Sequence, residues 1–445
     1  MPNAIVSQGK SCQIGTILGP HQGRGINMRS MARFGLFAVG VATIMAATLA
    51  CSSEASDSPG SSASVVPRAN ADPVDKSLSP VKVGFHNNEG GAISLPDIRL
   101  GFEAGVEYVN SELGGINGHP MEAVYCNTDG TPDAALNCGN TFVQDKVVLS
   151  AQGLDFGGDG ILPALRAANI AEFGALPLTP GLGSAIDDAA FGLASTEEAY
   201  AADVVQEHEL GAKKLSLVFP DVPASRSSFE RVVAPTAAKL GMQVSPYYYT
   251  PGGDSTTLAA TVLAGSPDAV SLYATEADAL AGVQALRGSG FTGTINATQS
   301  TAIVDKLDGA TLENVIFQSN VYFPGLSDVP EKAVKDIAAF QTYIQGKGIT
   351  KDLQAQQGFF VAVQSADILR QTPGDTITAA AVHESIKTAK GENFFTGGTY
   401  DCSRRTWPGS SACGTGVIFS KLNDDKVLQV LPNQPVDVSV VRPSS

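Results

Sequence analysis

The chain has 445 residues, 43% apolar and only 16% charged, enough for one large core or two of ordinary size and unlike either a disordered chain or a coiled coil. Its net charge of −15 becomes −19 without the first 50 residues, which carry Lys10, Arg24, Arg29 and Arg33 but no acid. So acidic a body repels nucleic acid and anionic lipid headgroups, and neither is an expected partner.

Phe34 to Ala50 is an apolar run behind Arg29 and Arg33, short of the ~20 residues that cross a bilayer comfortably, and it ends in Thr48-Leu49-Ala50-Cys51. Residues 1-50 therefore read as a leader with a signal peptide. The segment resembles the lipobox of bacterial lipoproteins, with Thr48 in place of the usual Leu. That resemblance implies lipidation of Cys51 and export to the cell envelope, on the outer face of the cytoplasmic membrane or in the periplasm. Met1 to Asn27 fits poorly ahead of the basic region, so translation is expected to begin at Met28 or Met31. Residues 51-79, rich in Ser, Ala, Pro and Asp, have the composition of a flexible tether.

With Cys12 in the leader and Cys51 assigned to lipid, Cys126, Cys138, Cys402 and Cys413 remain. Four cysteines allow three connectivities, and in an oxidising compartment the local pairs are the easiest to close. Their spacings contain no CxxC and no nearby His pair, which argues against zinc.

From Val81 onward, short apolar runs alternate with helical patterns. Val81 to Phe85 reads as a strand; Ile98, Phe102, Val106, Val109 and Leu113 then share one helical face, with Asp97 at the start and Gly114-Gly115 as the stop. Met121 to Tyr125 is the next strand, and Thr131-Pro132 caps a helix running to about Asp145. Strand Val147 to Ala151, a glycine-rich loop, helix Ile161 to Ala171 and strand Ala175 to Leu178 follow. The rhythm restarts after Gly192 to Thr196. Helices are expected over 197–210, 228–240, 256–264 and 276–289, and strands over 214–219, 243–249, 268–273 and 292–297. Such alternation implies parallel pairing and right-handed crossovers, hence an α/β protein of two doubly wound parallel-sheet lobes with a cleft between the strands' carboxyl ends.

Candidate chemistry is sparse. Of five histidines, His119 falls in a turn and His208 and His383 in helical patterns, where a satisfied or solvated side chain is the simpler reading. HExxH, GxSxG and GxxxxGK[ST] do not occur in the sequence, so neither catalysis, a cofactor nor a metal is expected. Asp155-Phe156-Gly157-Gly158-Asp159-Gly160 leads from a strand into a helix, a geometry that offers backbone N–H groups to an anion, yet its aspartates oppose a phosphate. Thr179-Pro180-Gly181-Leu182-Gly183-Ser184 repeats the pattern after the following strand, and two adjacent loops of small residues leave room for a ligand. Tyr247-Tyr248-Tyr249 alternates along a strand and reads as structural.

Gly101-Phe102-Glu103-Ala104-Gly105, Val109-Asn110 and Gly114-Gly115-Ile116-Asn117-Gly118 resemble the branched-chain amino-acid binding family, the type I periplasmic binding proteins of ABC importers. The likeness extends through Asp129, Ala134, Ala135, Gly153 and Pro177, and in the second half through Gly211 to Lys214, Pro267 to Val270 and Gly288 to Phe291. It implies a monomeric Venus-flytrap, with lobe 1 at 80-195 and 324-408 and lobe 2 at 196-323 and 409-445, which delivers a small solute to a permease. It also implies first-lobe ligand groups at Ser94, Gly157, Gly158, Asp159, Gly181, Gly183 and Ser184, and second-lobe groups at Ser225, Thr275 or Glu276, and Gln299. This chain departs from that pattern: glycines replace the hydroxyls that hold an α-carboxylate, Gln299 stands where an acid holds the ammonium, and Ser225 replaces a covering tyrosine. An amino-acid zwitterion would lose a charge-assisted contact worth roughly 1.5–3 kcal/mol, unless Glu276 substitutes for the missing acid. Two other roles fit the same sequence: a ligand-sensing lipoprotein for a signalling partner, and a hydrolase using Asp155, Asp159 and Glu276.

Overall fold

The computed structural model describes residues 74–443, apart from Ala92, residues 185–187, Gln299, Ser300, Asp375 and Thr415. The expected leader, Cys51, most of the tether and Gln299 therefore lie outside the described residues. The chain is docked on the body before Val81: Val74 N–H donates to Asn110 O and Asp75 N–H to Gly118 O.

Five parallel strands form the first sheet: β1 (Val81–Asn88), β2 (Met121–Thr128), β3 (Leu149–Gln152), β4 (Ala171–Gly174) and β5 (Ala190–Gly192), in the order β2-β1-β3-β4-β5. The second sheet contains β6 (Lys214–Pro220), β7 (Gln243–Tyr249), β8 (Ala269–Leu272), β9 (Thr294–Asn296) and β10 (Val315–Ser319), all parallel. A small hairpin of β11 (Lys390–Glu392) and β12 (Thr399–Asp401) precedes β13 (Ile418–Leu422) and β14 (Leu428–Val430). These last two strands extend the second sheet antiparallel, in the order β14-β13-β10-β9-β8-β6-β7. The short turn Asn423–Lys426, closed by Asn423 N–H to Val427 O, has no room for a crossover helix, so the strands it joins must be antiparallel. The fold is thus two α/β lobes, and the second carries a mixed edge.

Local chemistry accounts for the element ends. Thr131 caps the helix Pro132–Asp145 by accepting from Ala134 N–H, and Pro132 occupies its first turn. The helix expected to run to Ala171 instead stops at Ala167, because Asn169 takes a left-handed φ of 54° and releases the chain into β4. Ala175 to Leu178, read from sequence as a strand, is the loop that follows β4. The helix expected from Ser228 already begins at Pro223. Pro235 has no N–H to offer Arg231, and the run widens into a π turn over Phe229–Val233. The local cysteine pairs are the ones formed, Cys126 with Cys138 and Cys402 with Cys413.

After β10 the chain returns to the first lobe through the helices Glu331–Tyr343 and Asp352–Arg370, whose Phe340, Phe359 and Phe360 join its core beside Phe85 and Phe102. The helix Pro96–Glu112 lies against Asp352–Arg370 with almost no space between their backbones. A Cβ on Gly101 would fall 1.8 Å from Ala355 O, and one on Gly358 1.8 Å from Ile98 O. Gly101→Val is therefore expected to destabilise the protein by about 3 kcal/mol or more, by forcing the helices apart. Gly288→Ala, whose Cβ meets nothing, is expected to change stability by less than about 1 kcal/mol. Denaturant unfolding of the two variants beside the parent checks both, and equal midpoints would refute the packing argument.

Candidate functional site

The first-lobe loops at the carboxyl ends of β1, β3 and β4 are held by a buried charge. His86, near the end of β1, is fully buried between two acids: its Nδ1 lies 2.9 Å from Asp155 Oδ2 and its Nε2 2.8 Å from Glu172 Oε1. Burial, the largest influence on this imidazole, opposes its charge. The negative charge of Glu172, with the hydrogen bonds to Asp155 and Glu172, outweighs that and raises its pKa to about 10. His86 is thus an imidazolium that donates from both nitrogens. The other oxygen of Asp155 accepts from Gly157 N–H at 2.9 Å, so the ion pair anchors the first glycine-rich loop.

That loop clasps the second. Asp159 accepts from Thr179 Oγ1 at 2.5 Å, from Gly181 N–H at 3.0 Å and from Leu182 N–H at 2.9 Å. Gly183 N–H donates to Thr179 O, Ser184 Oγ to Gly181 O, and Ser411 N–H to Gly183 O, which ties the loop to the segment preceding β13. A Cβ on Gly157 would fall 2.3 Å from the Thr131 carbonyl carbon, so close backbone approach requires a glycine there.

Between the lobes lies a cavity of about 890 Å³. Leu154, Leu176, Leu178 and Leu193 line its first-lobe side, and Glu276, Thr301 and Gln318 its second. Asn320 and Phe323, after β10, and residues 350–354, Gln357 and Phe360 of the returning segment complete it. Beneath the second-lobe side, Asp203 is fully buried and accepts from Asn296 Nδ2 at 2.7 Å and from Tyr273 OH at 2.8 Å; Asn296 in turn reaches Gln318, whose Nε2 donates to Ala199 O at 3.2 Å. Burial pushes the carboxyls of Asp203 and Glu207 up, and that of Glu198 up to about 8.

Of the ligand residues implied by the sequence, Glu276 lines the cavity, where Lys306 pairs with it. Thr275 caps the helix Glu276–Gly288, and Ser225 sits buried in the short helix Pro223–Ser228. Ser94 is exposed and donates to Glu89 O at 3.2 Å. Gly157, Gly158 and Asp159, with Gly181, Gly183 and Ser184, form the clasp described above and are absent from the cavity lining. Sequence reading missed Leu176 and Leu178, whose apolar run passed for a strand, and it missed Asn320, Phe323 and Gln357 altogether. Their one sequence signal was position just beyond, or on the return from, a strand's carboxyl end. Among the described residues, no group of three or more His, Cys, Asp and Glu is arranged to hold a metal ion.

Two α/β lobes facing each other across a cavity, with the chain passing repeatedly between them, define the type I periplasmic binding fold. A family model described as periplasmic binding protein matches residues 80–408, and the chain belongs to that family. Its structure is similar to the branched-chain amino-acid transporter substrate-binding protein LivJ of Streptococcus pneumoniae, solved with isoleucine (TM-score 0.58, 17% identity, covering 79% of this chain and 99% of that one). It also resembles a Rhodopseudomonas palustris ABC-transporter solute-binding protein solved with 4-hydroxybenzoate (TM-score 0.59, 16% identity, 80% and 98% covered). An Aeropyrum pernix ABC-transporter substrate-binding protein is likewise similar (TM-score 0.62, 18% identity, 82% and 100% covered). No curated protein sequence shows significant similarity to the chain.

The buried ionisable groups set a pH dependence. The contribution of His86 to stability is complete below about pH 6.5 and fades as the pH rises toward about 10, because only the folded state keeps the proton across that window. Glu198 acts in the same sense between its ordinary value near 4.5 and about 8. The thermal midpoint is expected to fall as pH rises from about 6 to about 10, and His86→Gln to flatten the upper part of that curve. A parent midpoint independent of pH would contradict the imidazolium assignment. Asp159→Ala, which orphans three donors, is expected to cost about 1–3 kcal/mol and to speed hydrogen exchange at Gly181 and Leu182. Unchanged exchange at those amides would show that the clasp does not hold the loop.

Proposed function

We propose that this protein is an exported, lipid-anchored solute-binding protein that captures a small molecule, of the size of an amino acid or a related compound, between its lobes and delivers it to an ABC permease. The observation that carries this reading is the cavity of about 890 Å³, to which both lobes and the segments joining them contribute. A site built from two bodies couples occupancy to their approach: solute contacts made to both lobes only in the closed form shift the population toward it, and that form is what a permease distinguishes. The relatives solved with isoleucine and with 4-hydroxybenzoate support a cargo of this size.

In this reading lobe 1 comprises 80-195 and 324-408 and lobe 2 comprises 196-323 and 409-445. Glu276 faces the solute, and the segments carrying Ser94, Ser225 and Thr275 meet it on closure. Kinship with the branched-chain amino-acid branch of the family is supported by the Gly101 to Gly118 stretch. Lipid on Cys51, at the end of the tether 51-79, keeps the monomeric receptor near its permease.

A thermal-shift screen of the purified chain against amino acids, amides, organic acids and sugars tests the proposal. A ligand at 100 times its Kd is expected to add about 2.7 kcal/mol to the folded state. No response across the whole panel would count against small-solute capture, and a membrane fraction that retains Cys51→Ala as well as the parent would count against the anchor.

A further inference from the structure

Resting on that reading, we infer that the cleft selects an uncharged amphipathic molecule, with an apolar body and a hydrogen-bond donor such as a primary amide, rather than an amino-acid zwitterion or a carboxylate.

The first observation is the state of the two glycine-rich first-lobe loops, to which the family resemblance assigns the carboxylate and which do not line the cavity. The amides of Gly157, Gly158 and Gly160 donate to Asp155 Oδ1, Asp155 O and Gly157 O. Those of Gly181 and Leu182 donate to Asp159, and those of Gly183 and Ser184 to Thr179 O and Gly181 O. The one hydroxyl of the second loop aimed at its neighbour, that of Thr179, is also given to Asp159. A carboxylate arriving here finds these donors engaged and the Asp159 charge among them. Its charge would lose hydration without replacement, a cost a neutral molecule does not bear.

The second observation is what the cavity presents instead. Leu154, Leu176, Leu178, Leu193, Phe323 and Phe360 line it with hydrocarbon. The charges in its lining are balanced or wet: Glu276 is paired with Lys306, while Lys351 and Asp352 are adjacent, opposite and exposed. Neither an ammonium nor a carboxylate therefore meets a buried, unpaired counter-charge among these groups.

The third observation is an unmet acceptor. Asn320, which lines the cavity, has its side-chain oxygen Oδ1 buried with no hydrogen-bond partner. A buried polar atom left in that state is costly, and a donor on the ligand relieves it. An apolar wall interrupted by neutral polar side chains, Asn320 among them, suits a guest with a hydrocarbon or aromatic body bearing an N–H or O–H group, without net charge.

Isothermal titration of the purified chain with four molecules sharing a phenyl skeleton separates the possibilities: 3-phenylpropanamide (neutral), 3-phenylpropanoate (anion), 2-phenylethylamine (cation) and phenylalanine (zwitterion). The amide is expected to bind about tenfold or more tighter than each charged member, and Asn320→Leu and Leu176→Ser each to weaken it by about tenfold. Circular dichroism and unfolding midpoints matching the parent show that the variants remain folded. Phenylalanine or 3-phenylpropanoate binding as tightly as the amide overturns the inference and leaves solute capture standing. So does a sugar or amino-acid hit in the thermal screen without amide binding. Amide binding unaffected by Asn320→Leu overturns the assigned acceptor. Silence from all four compounds and from the screen overturns both readings.

Discussion

The contact on which the architecture turns is the near-touching of two helix backbones, Pro96–Glu112 and Asp352–Arg370, at Gly101 and Gly358. It is what brings a distant part of the chain back into the first lobe after the second has been built. Gly105 continues the same seam, where an added Cβ would fall 2.6 Å from the Ala362 methyl. Asp97, in the first turn of one helix, accepts from Thr350 Oγ1 at 2.8 Å just ahead of the other, fixing the register of the approach. Leu353, Gln357 and Phe360 therefore reach the cavity from a rigid helix. Without side chains at the seam, the energy of the contact comes from van der Waals contact and from the apolar faces on either side, which leaves little tolerance for change.

The two walls of the cleft are stiffened by different means. In the first lobe a buried imidazolium between two carboxylates fixes the Asp155 loop, and Asp159 passes that order to the next loop. In the second lobe Asp203, Asn296 and Gln318 form a polar chain beneath the surface. Buried networks of this kind contribute little net stability for their size but penalise any rearrangement that breaks one member, so they specify geometry more than they add energy. Each lobe therefore presents a surface whose geometry is held from beneath.

Much of this was legible in the chain itself. The alternation of β-type and helical periods fixed the class, the Thr131-Pro132 signal marked a helix start at the right residue, and the local cysteine pairs were the natural ones. The errors have physical causes. Ala175 to Leu178 is apolar because it faces a cavity, and an apolar run of four has no period with which to distinguish a strand from a binding wall. The glycines at 157 and 181 admit other backbone, or Asp159, at close range, a demand that no local pattern in the sequence displays. The antiparallel β13 and β14 were not assigned, and Asn320 and Phe323 gave no pattern at all, since their place depends on where the chain crosses between lobes. Likewise, nothing local in the sequence reveals that His86 is charged; that follows only when β1, β3 and β4 lie side by side.

The clasp at Asp159 also bears on how such a receptor diverges. With three donors of the second loop committed to one carboxylate of the first, and Gly183 tied to Ser411, alterations of backbone length in either loop disturb both. The side chains of Leu176 and Leu178, by contrast, stand on the same stretch of chain but take no side-chain part in the clasp. Exchange of those side chains therefore reshapes the cavity wall while the loop framework stays intact. In this scaffold the residues that hold the wall and the residues that surface the cavity are physically separate, so the second set is free to drift without risk to the first.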